Sequence, residues 1–235
     1  MQDLWLRQGV YCADVGEALI FLDLESGRYS ALPRDPARPT DELACTNGVL
    51  AASGAEVEAE GSVVDTLLEK GLLTRDCQRR NTAWRPPPSI TTTITSSNFP
   101  RVPIVMQPSI CMRFLAVYCE SRLRSLMSPV GNALERLRKC KATVSNPCDS
   151  PSDSELYVLM THFFRMRVFT YTAYDRCVID SLVLAHFLLR NGVVPTLVIG
   201  VATRPFEAHC WVQSGPIVLN SSVENVENYT PILVV

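Results

Sequence analysis

Tyr174-Asp175-Arg176-Cys177-Val178-Ile179-Asp180-Ser181-Leu182-Val183-Leu184-Ala185-His186-Phe187-Leu188-Leu189-Arg190-Asn191-Gly192 is the stretch on which the reading of this chain turns. It is apolar around most of its circumference and predicts a buried helix. Asp175 is placed to cap its start and Asn191-Gly192 to end it. Cys177 then falls in the first turn, where unpaired backbone N–H groups and the positive end of the helix dipole stabilise a thiolate. A thiolate is the nucleophile of thiol hydrolases, and the same N–H groups can receive a developing oxyanion. A purely structural cysteine would more often sit mid-helix, as one more apolar contact. His186 is nine residues further along the same helix, out of reach of the thiol, and is expected to pack. Asp180 reads as a helix-surface charge.

The sequence after this helix supplies a base. Val193 to Val201 is β-branched and strand-like, Pro205-Phe206 opens a second strand through Gln213, and Ile217 to Asn220 reads as a third. The second strand carries His209. A cysteine on a helix followed by a histidine on an antiparallel sheet is the papain and transglutaminase-like order. It lets the imidazole act as general base and then as general acid. Trp211 shares the face of His209, and Cys210 alternates to the other side. If Ser214-Gly215 is a two-residue turn, Gln213 faces Pro216 and His209 faces Asn220. A three-residue turn places Ser221 opposite instead. Asparagine can hold an imidazole as it does in papain-type triads, and serine would do so more weakly.

Ahead of the helix the chain reads as two units in an α+β class. Gly9 to Val15, Ala18 to Asp23 and Arg28 to Leu32 are short strand-like runs, the last two joined by the Gly-containing turn Leu24-Glu25-Ser26-Gly27. Thr40 or Asp41 is placed to cap a helix through Val49 to Ala52. Ser62 and Gly71 bracket another helix with Val63, Val64, Leu67 and Leu68 on one face. Residues 1–78 therefore read as a winged-helix-like module. Residues 79–110, rich in Pro, Thr and Ser, read as a linker. Residues 111–235 read as the papain/transglutaminase-like domain. Its early helices are Met112 to Leu126, Asn132 to Arg138 and Leu156 to Phe169, the last with an apolar stripe and with His162 on its surface or hydrogen-bonded.

Composition narrows the classes further. The net charge is −2 over 235 residues, so no basic footprint for nucleic acid or anionic membrane is present. No apolar run approaches the roughly 20 residues of a membrane span, and Met1 to Trp5 lacks the features of a signal peptide. A cytoplasmic location is the expectation. Nine cysteines with only three histidines, and no C-x-x-C pair, speak against a disulfide framework and against a zinc site of ordinary spacing. No metal or other cofactor is implied.

Four stretches carry a resemblance: Asp175-Arg176-Cys177, Leu197-Val198-Ile199-Gly200-Val201, Pro205-Phe206-Glu207-Ala208-His209-Cys210-Trp211-Val212 and Tyr229-Thr230-Pro231. They resemble the B-type proteins of lasso peptide biosynthesis, transglutaminase-like cysteine peptidases that remove the leader from a ribosomally made precursor. The resemblance is dense over 156–235, and the Pro205 to Val212 run is its most specific part. Residues 1–78 are similar, through Gly27-Arg28-Tyr29 and Gly71-Leu72-Leu73, to the leader-recognition element of such systems. The resemblance implies a leader peptidase with Cys177 as nucleophile and His209 as base. It implies that the precursor leader adds as a strand beside Arg28, Tyr29, Ser30, Ala31 and Leu32, its apolar residues docking on Val64, Leu67 and Leu68. It implies as partner an ATP-dependent, asparagine-synthetase-like cyclase that closes the macrolactam. In one respect the chain departs from the pattern: the family aspartate twelve residues after the histidine is Ser221, with Asn220 adjacent and Glu224 a more distant substitute. That departure motivates two other readings, a catalytically weak precursor-delivery protein and a transglutaminase-like acyl transferase.

Overall fold

The computed structural model describes residues 4–34, 43–46, 49–52, 63–81, 84–94, 105–125, 130–143, 152–170 and 177–235. The chain divides into two compact units. The first takes residues 1–86 with 200–208 and 230–234; the second takes 87–199, 209–229 and 235. The two late insertions into the first unit have no counterpart in the 1–78 boundary read from the sequence.

Short, nearly continuous apolar runs bounded by turn residues make the first unit mainly sheet. It opens with β1 (Trp5–Leu6), β2 (Val10–Asp14), β3 (Ala18–Asp23) and β4 (Arg28–Pro33). The last three pair antiparallel in that order, with Tyr11 opposite Leu22 and Leu22 opposite Tyr29, so β4 is an edge. Gly27 closes the β3–β4 turn at φ 67°, a conformation glycine adopts at no steric cost. β5 (Leu43–Thr46) and β6 (Val49–Ala52) form an antiparallel pair with Cys45 opposite Leu50. These residues are strands and not the helix expected behind Thr40 or Asp41, two residues that lie outside the described ones. Each apolar run is four residues long, too short for periodicity to separate strand from helix. α1 (Val63–Glu69) follows, and β7 (Leu73–Thr74) pairs with β1. Val64 and Leu67 of α1 join Leu6, Val10, Leu19 and Phe21 in one core. The described part of this unit is thus β-rich with a single α-helix, and a winged-helix-like arrangement is not specifically seen in it.

The late segments enter this unit through definite contacts. Thr203 Oγ1 donates to Glu17 Oε1 at 2.6 Å, Arg204 pairs with the same carboxylate, and the rings of Phe206 and Tyr29 meet edge-on with centroids 5.4 Å apart. Residues 230–234 lie against β2 and β3.

The remaining elements are β8 (Thr92–Thr93), α2 (Pro108–Ser125), α3 (Val130–Thr143), α4 (Asp153–Arg167), α5 (Cys177–Arg190), β9 (Thr196–Thr203), β10 (Phe206–Ser214), β11 (Ile217–Val218), α6 (Val223–Val226) and β12 (Thr230–Val234). A five-stranded sheet runs in the order β12-β9-β10-β11-β8. Part of the expected linker therefore belongs to a sheet: Thr92 lies opposite Ile217 in a parallel pair, and Ile94 N donates to Val218 O at 2.7 Å. α2 also begins inside the expected linker, at Pro108, a residue with no N–H to forfeit in a first turn.

In the second unit the helices pack through aromatic side chains. Phe114 of α2 meets Phe163 of α4 at 5.6 Å and Phe187 of α5 at 6.0 Å, and Phe163 and Phe187 lie 5.8 Å apart. α4 starts with a reciprocal capping box in which Ser152 and Glu155 satisfy each other's backbone N–H. His162 is fully buried on α4. Its Nε2 accepts from Gln107 N at 2.9 Å, which leaves Nδ1–H to donate to Val158 O at 2.8 Å. No helix among the described residues is long and apolar enough to cross a membrane.

Replacing Phe163 by Ala removes two of these three ring contacts and should cost about 3–5 kcal/mol, measured by urea unfolding followed through helical circular dichroism. Phe169→Ala, at a side chain 85 % exposed, should leave the same curve nearly unmoved.

Candidate active site

α5 begins at Cys177, a half-buried residue, and its N-terminal half is held by polar side chains. Asp175, the expected cap, lies outside the described residues. Asp180 is 2 % exposed, so the surface charge read from the sequence is in fact a buried carboxylate. Arg167 at the end of α4 reaches both its oxygens at 3.2 Å, and Asn220 Nδ2 donates to Oδ2 at 3.2 Å. Ser181 Oγ accepts from the same Asn220 amide at 3.0 Å and donates to Cys210 O at 2.9 Å. The first turn of α5 is thereby tied to β10, the strand that bears His209.

The turn after β10 differs from the expectation. Gln213 pairs with Val218 and Ser214 with Ile217, so the turn residues are Gly215 and Pro216, with Gly215 at φ 55°. Glycine with positive φ suits the first central position of a hairpin turn, and proline follows where its missing N–H is not needed. The register moves by two residues relative to a Ser214-Gly215 turn. β11 is correspondingly short, and Asn220 leaves the ladder. Its Oδ1 accepts from Val212 N at 2.8 Å, taking the place of a backbone carbonyl, while its Nδ2 binds Asp180 and Ser181. With both ends of its amide engaged there, Asn220 does not contact His209. It holds the two elements that carry the pair.

His209 is oriented by other groups. Its Nε2 lies 3.1 Å from Ser221 Oγ and 3.3 Å from Asn225 Nδ2, and that Asn225 amide donates to Ser221 Oγ at 3.0 Å. Ser221 thus occupies the position where the lasso-type pattern places aspartate, and contacts the same ring nitrogen. Trp211, buried, stacks near the imidazole with centroids 6.0 Å apart, and Tyr229 lies at 5.3 Å on a tilt. Nδ1 makes no hydrogen bond among the described residues, nor is there one between His209 and Cys177. Glu224 stays apart: its carboxylate is held low by its own backbone N–H and by the Ser222 hydroxyl. Asn225 and Tyr229 escaped the sequence reading as site residues. The one available signal for Asn225 was its spacing of four from Ser221, read with Ser222 as the cap of the short α6.

Burial pushes His209 below the usual 6.5, since partial desolvation disfavours the charged imidazolium. The folded state therefore favours the neutral ring. The stability this contributes is complete above the unfolded value and is lost as pH falls through the lower, folded one. Burial likewise drives the Cys210 thiol up, opposed by a hydrogen bond with Ser181 and reinforced by the nearby Cys177 and Asp180. Cys210 is thus a protonated core residue, as its alternation with His209 suggested.

The residues expected to bind a leader divide by burial. Arg28 and Ala31 of the β4 edge are exposed, and Tyr29, Ser30 and Leu32 are half-buried. Val64 and Leu67 are sealed in the core of their own unit at 8 % and 4 % exposure. They are unavailable as a docking surface, because a helix this short turns one apolar stripe inward. Leu68, half-buried, and Val63, exposed, remain within reach of solvent.

Residues 122–234 match the family model of the transglutaminase-like superfamily, which includes cysteine peptidases and transglutaminases. The matched stretch contains Cys177, Asp180, His209, Asn220 and Ser221. Neither the curated proteins nor the solved structures yield a match to this chain. The described structure is of mixed α/β class, and its second half is similar to the transglutaminase-like superfamily over the matched residues.

An anion at position 221 would favour the charged ring. Ser221→Asp should raise the His209 pKa by about one unit or more, read from the ring-proton shifts in an NMR titration. A titration unchanged by the substitution would show that residue 221 does not control the imidazole.

Proposed function

We propose that this chain is a leader peptidase, in which Cys177 is the nucleophile and His209 the general base and acid. What carries the reading is the arrangement around His209: Ser221 Oγ lies against Nε2, Nδ1 has no hydrogen-bond partner among the described residues, and its strand is bonded to Ser181 of the Cys177 helix. The match of 122–234 to the transglutaminase-like superfamily supports the same chemistry.

In the tautomer that this role needs, Nε2–H donates to Ser221 Oγ and Nδ1 accepts the thiol proton. The thiolate attacks the scissile carbonyl to form a tetrahedral oxyanion, received by N–H groups of the first turn of α5. His209 returns the proton to the departing amine, and the core peptide leaves with a free N-terminus. Water, deprotonated by His209, then hydrolyses the thioester and releases the leader as a carboxylic acid. The substrate is a ribosomally made lasso precursor whose leader adds as a strand along the β4 edge, backbone to backbone, within reach of Val63 and Leu68. The freed amine passes to an ATP-dependent, asparagine-synthetase-like cyclase for macrolactam closure, in the cytoplasm.

A second reading rests on one observation. The group on Nε2 is a neutral hydroxyl, not a carboxylate, and a neutral orienter stabilises an imidazolium less. This favours slow turnover or, at the limit, a protein that delivers the precursor without cutting it. Acyl transfer by the same pair is the remaining alternative, and it would release ammonia in place of a leader fragment.

Cys177→Ala separates the first two. With precursor and cyclase reconstituted, mass spectrometry should find no free leader and no macrolactam from this variant, against both from the native chain. Processing that continues with Cys177→Ala sinks the peptidase reading and leaves delivery.

A further inference from the structure

α2, α3 and α5 enclose a cavity of about 380 Å³. Its size falls within the range of small-molecule sites, about 300–1,000 Å³. Helical spacing keeps it away from the thiol: Val178, Leu182, His186 and Leu189 form the stripe of α5 that lines it, whereas Cys177, Ser181, Leu184 and Leu188 form a different one. Facing residues such as Val117, Val130 and Ala133 complete mostly apolar walls.

The charges at this cavity do not balance. Arg124, Arg136 and Arg190 line it with one carboxylate, Glu120. Glu120 is already paired with both Arg124 and Arg190. Arg136, half-buried, has no ion-pair or hydrogen-bond partner among the described residues. The His186 imidazole also lacks one there, and burial foremost holds it below its usual value, with all three arginines acting in the same direction against Glu120. A guanidinium against apolar walls is stabilised most by an anion that accepts two parallel N–H bonds. The lining keeps a net positive charge, and Arg136, the guanidinium of the three that Glu120 does not pair, offers its planar fork to a carboxylate whose apolar body suits the walls.

We propose that the cavity between α2, α3 and α5 binds a small apolar monocarboxylate, its body among the aliphatic side chains and its carboxylate on Arg136. The site is separate from the Cys177–His209 pair and does not depend on the peptidase reading.

Isothermal titration of the full chain at neutral pH, with decanoate, decan-1-ol and decylammonium as probes, tests this. Decanoate should bind one per chain, decanol roughly tenfold or more weakly, and decylammonium not measurably. Arg136→Ala should lower decanoate to the level of decanol, Arg136→Lys should recover part of the difference, and Cys177→Ala should bind as the native chain does. Ala133→Phe, which fills the cavity, should abolish binding, with circular dichroism confirming that each variant is folded. The proposal is overturned if decanoate does not bind at millimolar concentration, or if decanol binds equally well. It is also overturned if folded Arg136→Ala or Ala133→Phe binds decanoate unchanged, or if Cys177→Ala loses it.

Discussion

A carboxylate taken out of water costs several kcal/mol unless it is paired and hydrogen-bonded, and Asp180 meets that requirement with groups from two other places in the chain. Arg167 comes from the end of α4 and Asn220 from the turn after β11, while the neighbouring Ser181 fastens to Cys210 O. The Cys177 helix and the His209 strand therefore share one polar junction, buried just behind these two half-exposed side chains. Breaking any member leaves the others unsatisfied in a low-dielectric interior, so the position of Cys177 relative to His209 depends on residues that touch neither substrate nor each other's reactive atoms.

The groups around His209 change its chemistry in a definite direction. A carboxylate on Nε2 would stabilise the imidazolium and so a thiolate–imidazolium pair. A hydroxyl stabilises it less, the Asn225 amide N–H₂, a donor, does not stabilise it, and burial disfavours the charge further. The resting imidazole is thereby held toward its neutral form. Trp211 and Tyr229, by flanking the ring, limit the water that could otherwise solvate the charge as it forms.

Legibility in the sequence followed the length scale of each interaction. The hairpins at 10–33, the long helices and the His209 strand are set by local periodicity and by turn glycines, and they emerge within a residue or a few of their observed bounds. The 43–52 hairpin did not, because two four-residue apolar runs carry no period of their own. Asp180 could not be placed as buried without Arg167, thirteen residues back on another helix, and a lone carboxylate on an apolar helix is ambiguous until its partner is found. Asn220 and Ser221 were both visible as candidates beside His209. Which of them meets it depended on whether Gly215 or Ser214 begins the turn, a choice decided by the φ 55° that glycine alone accepts easily.

The grouping of residues 200–208 and 230–234 with the first unit bears on the order in which the chain can fold as it is made. The sheet strands of that unit precede these segments by well over a hundred residues, yet Glu17 and Tyr29 find their partners near residues 203–206, and residues 230–234 add to the cover of β2 and β3. An emerging chain must hold part of this apolar surface until the covering strand exists. Such long-range closure is slow to form, and an incompletely covered sheet invites association with other chains. The first unit thus cannot finish folding until residue 234 has been made.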